Sequence, residues 1–247
     1  MYNREDIAKL KEIIGRSRRI VFFGGAGVST ASGIPDFRSE DGLYSGKWKG
    51  MSPEDILSAA YFALHTADFY DFYRRYMVHP DAEPNAVHRW LYDLEKADKL
   101  RGIVTQNIDG LHQAAGSKNV LELHGSVQRN HCTGCNVFYD GAYVSSHADE
   151  NGIPRCAACG EMIRPDVVLY GEGLDDVVVE KTLAAMDRAD MLIIGGTSLS
   201  VYPAAGFVRA FHGKHLVLIN RDPTPQDSAA DLVIHDSIGK VLGEIKV

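Results

Sequence analysis

Two closely spaced pairs of cysteines give the clearest chemical signal in this sequence. Each pair has the C-x-x-C spacing and 20 residues separate the pairs, which are Cys132 with Cys135 and Cys156 with Cys159. Each pair turns two thiolates toward one point, and four thiolates complete the tetrahedral coordination of Zn²⁺. Because no coordination position stays open for water or substrate, we expect one structural zinc ion held by these four side chains.

Other uses of the four cysteines fit the sequence less well. Buried free thiols would not need the two-residue spacing twice, and a redox pair is expected once, at the start of a helix in a thioredoxin-like unit. A zinc ribbon can bind nucleic acid, but the basic residues of this segment are few, namely Arg129, Arg155 and Arg164. Zinc is therefore expected to hold the fold together.

A glycine-rich segment, Gly24–Arg38, reads GGAGVSTASGIPDFR and follows a short apolar run, Ile20–Phe23. Glycines directly after a strand permit a tight turn and a close approach of the backbone to a pyrophosphate. The spacing departs from the dehydrogenase pattern G-x-G-x-x-G, and no clear ribose-binding acid ends a second strand about 20 residues later. The segment therefore favours nucleotide binding without hydride transfer. A purely structural turn would explain Gly25 and Gly27 but not Pro35–Arg38.

Polar side chains follow other apolar runs, at the points where strands are expected to end. They are Thr105–Asp109, His124, Gly196–Ser198 and Asn220. Open α/β proteins bind ligands at the carboxyl ends of parallel strands, where amide, acid and hydroxyl side chains suit a carboxamide and sugar hydroxyls. Taken singly, each is also compatible with a turn, a loop start or a structural histidine.

The apolar runs alternate with helical patterns, which predicts a Rossmann-like, doubly wound parallel sheet of the α/β class. Asn3 is expected to cap a first helix that ends at Gly15. The apolar face of that helix is Ile7, Leu10, Ile13 and Ile14. The expected strands are Ile20–Phe23, Ile103–Thr105, Val120–Leu123, Val167–Tyr170, Met191–Ile194 and Leu216–Ile219.

Two insertions are expected to form a smaller domain. Residues 39–87 carry helical spacings over Pro53–Leu64 and Asp68–Met77, whereas residues 131–164 lack long apolar runs and contain all four cysteines. The nucleotide-binding domain is then expected to comprise residues 1–38, 88–130 and 165–247.

Composition narrows the partners and the compartment. The chain has 247 residues and a formal net charge of -7, which gives no general attraction to nucleic acid. A basic leader and an apolar run of membrane-spanning length are both missing from the sequence. Together with the paired cysteines, which read as reduced thiols, this predicts a soluble, cytoplasmic protein with no membrane partner.

Together, these segments resemble the signature of the sirtuins, a family of NAD-dependent protein deacylases. GAGVSTASGIPDFR, TQNID, LHG, the two C-x-x-C pairs, GE, GTSLSVYPAA and IN occur in the family's order across nearly the whole chain. The resemblance implies removal of acetyl groups from N6-acetyl-lysine of proteins or peptides, with nicotinamide and 2′-O-acetyl-ADP-ribose as products. NAD would then be consumed in every turnover.

The resemblance also implies catalytic roles. In the family mechanism the acyl carbonyl oxygen displaces nicotinamide from the ribose anomeric carbon, and His124 would act as general base on the ribose 2′-hydroxyl. An ordinary imidazole pKa of about 6.5 suits that proton transfer. Asn107 is the second residue assigned to catalysis. Phe37 would shield the anomeric carbon, and Arg38 would orient the ribose and pyrophosphate.

Binding residues are implied in the same way. NAD contacts are expected from Gly25, Ala26, Gly27, Thr30, Asp36, Phe37, Arg38, Gln106, Asn107, Ile108, Asp109, His124, Gly196, Thr197, Ser198, Asn220 and Ile238. An extended peptide is expected to pair with Val168, Tyr170, Gly171 and Glu172. Two positions depart from the family pattern: Tyr170 replaces the usual Phe, and Gly24 replaces a common Thr, a change that would loosen the loop.

The acyl group is expected to be acetyl rather than succinyl. Sirtuins that prefer acidic acyl chains carry a Tyr followed three residues later by Arg, whereas three residues after Tyr70 stands Tyr73, followed by Arg74 and Arg75. A shift of one residue turns a helical side chain by about 100°. Desuccinylation, transfer of ADP-ribose to protein, and a non-catalytic NAD-sensing or zinc-ribbon module remain as alternatives.

Overall fold

The computed structural model describes residues 2–37, 42–43 and 46–247. In chain order the strands are β1 Ile20–Gly24, β2 Leu100–Thr105, β3 Val120–Glu122, β4 Gly125–Cys132, β5 Phe138–Asp140, β6 Ile163–Val167, β7 Met191–Gly195, β8 His215–Ile219 and β9 Leu232–Ile234. The larger sheet has the order β3-β2-β1-β7-β8-β9, and every neighbouring pair in it is parallel. This is the Rossmann strand order, as the alternation of apolar runs predicts.

Helices cover both faces of the larger sheet. In chain order they are α1 Arg4–Arg16, α2 Pro53–Ile56, α3 Ala59–Leu64, α4 Thr66–Tyr76, α5 Ala86–Lys96, α6 Leu111–Ala114, α7 Gly141–Ser146, α8 Asp176–Arg188 and α9 Ile238–Gly243. One core layer packs α1, α5 and α9 against Ile20 and Phe22 of β1. A second layer packs Met186 of α8 against Val21 and Phe23. Alternate residues of β1 thus enter opposite layers, which explains why the whole run is apolar.

The first helix begins as predicted and ends later. Asn3 caps α1, because its side chain accepts from the amide of Asp6 and the Asp6 carboxylate accepts in return. The sequence predicts that the helix ends at Gly15, but α1 continues to Arg16. One glycine costs a helix only about 1 kcal/mol, and the Ser17 hydroxyl donates to the Ile13 carbonyl at the actual end.

A smaller antiparallel sheet has the order β5-β4-β6. The expected parallel strand over Val167–Tyr170 is wrong, because β6 ends at Val167 and pairs with β4 instead. Val167 and Leu169 are buried in a cluster with the helices of the first insertion, so their apolar character serves that cluster and not the larger sheet. Beyond β6 the backbone continues extended, and the amide of Val168 donates to the His124 carbonyl.

The first insertion is helical, but Pro53–Leu64 is two helices and not one. Ser58 stands between α2 and α3, and its hydroxyl caps α3 by accepting from Tyr61. Helix α4 buries Phe69, Tyr70, Phe72 and Tyr73 in the same cluster. None of the helices in the described residues is long and apolar enough to span a bilayer.

Candidate functional site

The loops after β1 and β7 meet at the centre of the larger sheet, where the strand order reverses. The amide of Gly27 donates to the Gly196 carbonyl over 2.9 Å. A Cβ atom on Gly27 would lie 2.8 Å from the Gly196 Cα atom, so only glycine allows this approach. Rossmann-type sheets bind nucleotides in the crevice at this reversal.

A cavity of about 430 Å³ opens at this crevice. Arg38 lies outside the described residues, and all the other residues predicted to bind NAD or peptide line the cavity. They are Gly25, Ala26, Gly27, Thr30, Asp36, Phe37, Gln106, Asn107, Ile108, Asp109, His124, Val168, Tyr170, Gly171, Glu172, Gly196, Thr197, Ser198, Asn220 and Ile238.

Ser29 joins the glycine-rich loop to the segment after β2. The Asn107 amide donates to the Ser29 hydroxyl over 3.0 Å, and that hydroxyl donates to an Asp109 carboxylate oxygen over 2.6 Å. The second Asp109 oxygen accepts from the Leu111 amide at the start of α6. Ser29 was not among the predicted site residues, although its place within the glycine-rich motif was a usable signal.

Gln106 bridges the two halves of the crevice. Its backbone amide donates to the Gly24 carbonyl over 3.0 Å, and its side-chain amide donates to the Thr197 hydroxyl over 3.0 Å. The Thr197 hydroxyl also accepts from the amide of Leu199. These contacts hold the ends of β1, β2 and β7 at fixed spacing around the cavity floor.

His124 lies between β3 and β4, where the two sheets meet. Its Nδ1 atom is 2.9 Å from the Gln106 carbonyl oxygen, which can only accept, so Nδ1 carries the proton and Nε2 is the accepting atom. Burial lowers the pKa of His124, and the hydrogen bond to Gln106 partly opposes that shift. The imidazole is therefore neutral at neutral pH and able to take a proton.

Asp36 is paired across the mouth of the cavity. One of its carboxylate oxygens accepts from Arg221 over 2.9 Å, and the Arg221 side chain is 58% exposed. Arg221 follows Asn220 at the end of β8 and also lines the cavity. It was not predicted as a site residue, and its only sequence signal is its position next to Asn220.

The segment expected to pair with peptide forms one edge of the cavity. The Glu172 carboxylate accepts from the Leu169 amide over 2.9 Å and from Arg164 over 2.5 Å. Tyr170 is 41% exposed, and its amide and carbonyl bond to Leu57 and Ala59 in the first insertion. The segment is thus a fixed extended edge.

The two arginines of α4 are engaged away from the cavity. A guanidinium nitrogen of Arg74 donates to the Gly152 carbonyl near the cysteines, and Arg75 pairs with Asp71 on the exposed side of α4. Neither is among the described residues that line the cavity. The geometry agrees with the one-residue shift inferred from the sequence.

Gly24 is the last residue of β1 and is buried. A Cβ atom there would lie 2.6 Å from the Phe22 ring and 3.2 Å from the Val28 side chain. Gly24 pairs with Thr105 on one side and Gly195 on the other, so it is part of the larger sheet. Its small size makes room for the Phe22 ring.

The four cysteine sulfurs lie within 4.8 Å of one another, with the shortest separation, 3.3 Å, between Cys132 and Cys159. Zinc–sulfur bonds of about 2.3 Å in a tetrahedron require sulfurs about 3.8 Å apart. The arrangement therefore fits a tetrahedral zinc ion with all positions filled. The Tyr139 hydroxyl, 3.1 Å from the Cys156 sulfur, lowers the pKa of that thiol.

Known proteins are similar to this chain over nearly its whole length. The Sir2 family model matches residues 25–203. An NAD-dependent protein deacetylase of Clostridium perfringens is 55% identical over 98% of both chains. One of Clostridium acetobutylicum is 56% identical over 96% of this chain and 97% of its own.

Solved structures of Sir2 proteins are also similar to this chain over nearly its whole length. A Sir2 mutant with a deacetylated p53 peptide and 3′-O-acetyl ADP-ribose superposes with a TM-score of 0.87 at 34% identity, over 96% of each chain. Sir2Tm bound to a propionylated peptide has a TM-score of 0.83 at 34% identity, over 96% of this chain and 95% of the other.

Proposed function

This chain belongs to the Sir2 family, and we infer from this and from its site that it removes acetyl groups from protein lysines while consuming NAD. The overall change converts acetyl-lysine, NAD and water into lysine, nicotinamide and O-acetyl-ADP-ribose. We write the product as the 2′ ester; the related complex holds the 3′ ester, an isomer with the acyl group on the adjacent hydroxyl.

One observation carries the proposal most directly. His124 presents its accepting Nε2 atom at a nucleotide-binding crevice, beside the Ser29–Asn107–Asp109 hydrogen bonds. An alcohol dehydrogenase can also place a base beside its cofactor, but the glycine-rich segment lacks the G-x-G-x-x-G spacing of those enzymes. A base beside the cofactor's ribose suits chemistry on the ribose itself.

NAD supplies the ribose carbon that loses nicotinamide and the hydroxyl that receives the acetyl group. His124 is the base for that hydroxyl, because its Nδ1 proton is committed to Gln106. Amides of the loop that contains Gly25 and Gly27 are suited to the pyrophosphate. Asn107 and Asp109, which Ser29 links by hydrogen bonds, are assigned to the nicotinamide end, and Phe37 to covering the reacting carbon against water.

The proposal is tested by nicotinamide release with an acetylated peptide. We expect release only when NAD and the peptide are both present, with the succinylated peptide reacting much more slowly because no arginine of α4 reaches the cavity. His124→Ala should lower the rate by about 100-fold or more, the scale of a lost general base. His212→Ala, at an exposed histidine outside the cavity, is the matched control.

Two outcomes would contradict the proposal. Formation of NADH would indicate hydride transfer, and a peptide that gains ADP-ribose while keeping its acetyl group would indicate ADP-ribosyl transfer. Mass spectrometry of the peptide separates these products.

The expected substrates are acetylated proteins or peptides.

We also propose that the protein lies in the cytoplasm and has no nucleic-acid or membrane partner, because its net charge is -7 and its paired thiols are typical of a reducing compartment. The proposal also keeps residues 1–38, 88–130 and 165–247 as the NAD-binding domain, with 39–87 and 131–164 as the smaller one. Cell fractionation, and the fragments left by limited proteolysis, test these two points.

A further inference from the structure

Asn85 is a buried side chain directly behind the glycine-rich loop, outside the cavity. It is 8% exposed, and its side-chain nitrogen donates to the Val28 carbonyl over 2.8 Å and to the Ser32 hydroxyl over 3.0 Å. Its side-chain oxygen accepts from the Val87 amide over 2.9 Å. Both amide hydrogens and the oxygen of this side chain are therefore used.

The two groups that accept from Asn85 belong to the loop whose other side lines the cavity. Val28 and Ser32 flank Ser29, which is held from the cavity side by Asn107 and Asp109. The loop is thus fastened on two opposite sides. Within the described residues, the side-chain hydrogen bonds to Val28 and Ser32 both come from Asn85.

The support behind Asn85 is rigid. Asn85 is the N-terminal cap of α5, and its own amide donates to the Nδ1 atom of His88 over 3.2 Å. Helix α5 is anchored in the core by Leu91 and by Trp90, whose indole donates to the Ile245 carbonyl over 2.8 Å. Because the helix cannot shift easily, Asn85 fixes the position of the loop relative to the larger sheet.

We propose that Asn85 is a positioning residue for NAD binding. Its side chain holds the Gly25–Ser32 segment in the position in which the backbone of that segment contacts the cofactor. The proposal rests on the proposed function, since it concerns the same cavity. It differs from a helix-capping role, which needs only the side-chain oxygen. The two amide hydrogens are the part that acts on the loop.

Asn85→Ser separates the two roles. A serine keeps a capping oxygen for α5 but is too short to reach the Val28 carbonyl, and serine caps helices about as well as asparagine. Asn3→Ser is the matched control, because Asn3 also caps a helix with a capping box and touches no part of the loop. Asn85→Asp, which keeps the size and the capping oxygen and removes both donors, is the second variant.

The direct measurement is the Kd for ADP-ribose by titration calorimetry, which needs no turnover. We expect both Asn85 variants to raise this Kd about five- to tenfold, the scale of one or two net hydrogen bonds, while Asn3→Ser leaves it unchanged. In the deacetylation assay the KM for NAD should rise with little change in kcat, as loss of uniform binding predicts. Ser32→Ala should show a smaller change in the same direction.

An unchanged Kd for ADP-ribose in folded Asn85→Ser, with only a lower melting temperature, would overturn the proposal and leave Asn85 as a simple cap. Failure of the proposed function would look different. In that case the wild-type protein itself would release no nicotinamide with acetylated peptide, whatever its affinity for ADP-ribose.

Discussion

His124 is fixed in one tautomer by a backbone carbonyl, and that carbonyl belongs to Gln106, which also bonds across the crevice to Thr197. A side-chain partner could be lost by mutation or protonation, whereas a carbonyl accepts at every pH at which the protein is folded. The proposed base is therefore oriented by the same segment that is proposed to line the nicotinamide end.

The lowered pKa of His124 predicts the acid side of the pH profile. The reaction needs neutral imidazole, so kcat/KM falls as pH drops through the pKa of His124 in the free enzyme. Because burial holds that pKa below 6.5, the fall should begin at a lower pH than for an exposed histidine. The measurement is kcat/KM against pH with the folded state monitored at each point; a midpoint above 6.5 would speak against the assignment.

Most of the residues that line the cavity could be predicted at this scale; Ser29 and Arg221 lie in or beside the motifs, whereas Asn85 does not. The predicted residues lie in short motifs at strand ends, where residue type and position carry the signal. Asn85 lies before α5, 53 positions from Ser32, and its role depends on a contact that only the folded chain creates. The sequence can indicate that an asparagine caps a helix, but it does not indicate which groups accept hydrogen bonds from the side-chain amide.

Among the elements, burial on both faces made the central strands predictable, since β1 and β7 are continuous apolar runs. Val167–Tyr170 has the same composition and was placed in the wrong sheet, because apolar pattern reports burial but not the partner strand. β4 was not predicted, because five of its eight residues are polar and its buried residues do not alternate regularly with exposed ones. Hydrophobic pattern thus located the core better than it located the smaller sheet.

The zinc module gives a prediction at the scale of elements. Cys135→Ala should reduce the zinc content from one ion per chain to nearly none, since three thiolates do not complete the tetrahedral site. The melting temperature should fall, because metal binding contributes to folding of such modules. Elemental analysis and thermal unfolding are the measurements. Ser146→Ala, at an exposed serine of α7 in the same module, is the control.

A Cys135→Ala protein that keeps one zinc ion per chain would mean that the four sulfurs do not form the metal site. Since β4 and β6 carry the module and also border His124 and Val168, loss of zinc should lower deacetylation too.

At the scale of the whole molecule, the cavity lies where the two sheets and the first insertion converge. The larger sheet provides the glycine-rich loop and Asn107, the junction between the sheets provides His124, and the extended edge after β6 provides Val168–Glu172. The residues proposed to bind the cofactor and those proposed to bind the peptide therefore line a single cavity. That arrangement is suited to a reaction between two substrates, in which NAD is spent.

The stoichiometry of a single reaction mixture tests this most directly. Acetylated peptide and NAD are incubated with the protein, and deacetylated peptide, nicotinamide and O-acetyl-ADP-ribose are quantified together by liquid chromatography and mass spectrometry. The mechanism predicts equal amounts of the three products at every time point, and formation of all three at least about 100-fold slower with His124→Ala. Free acetate in place of O-acetyl-ADP-ribose, with NAD undiminished, would contradict it.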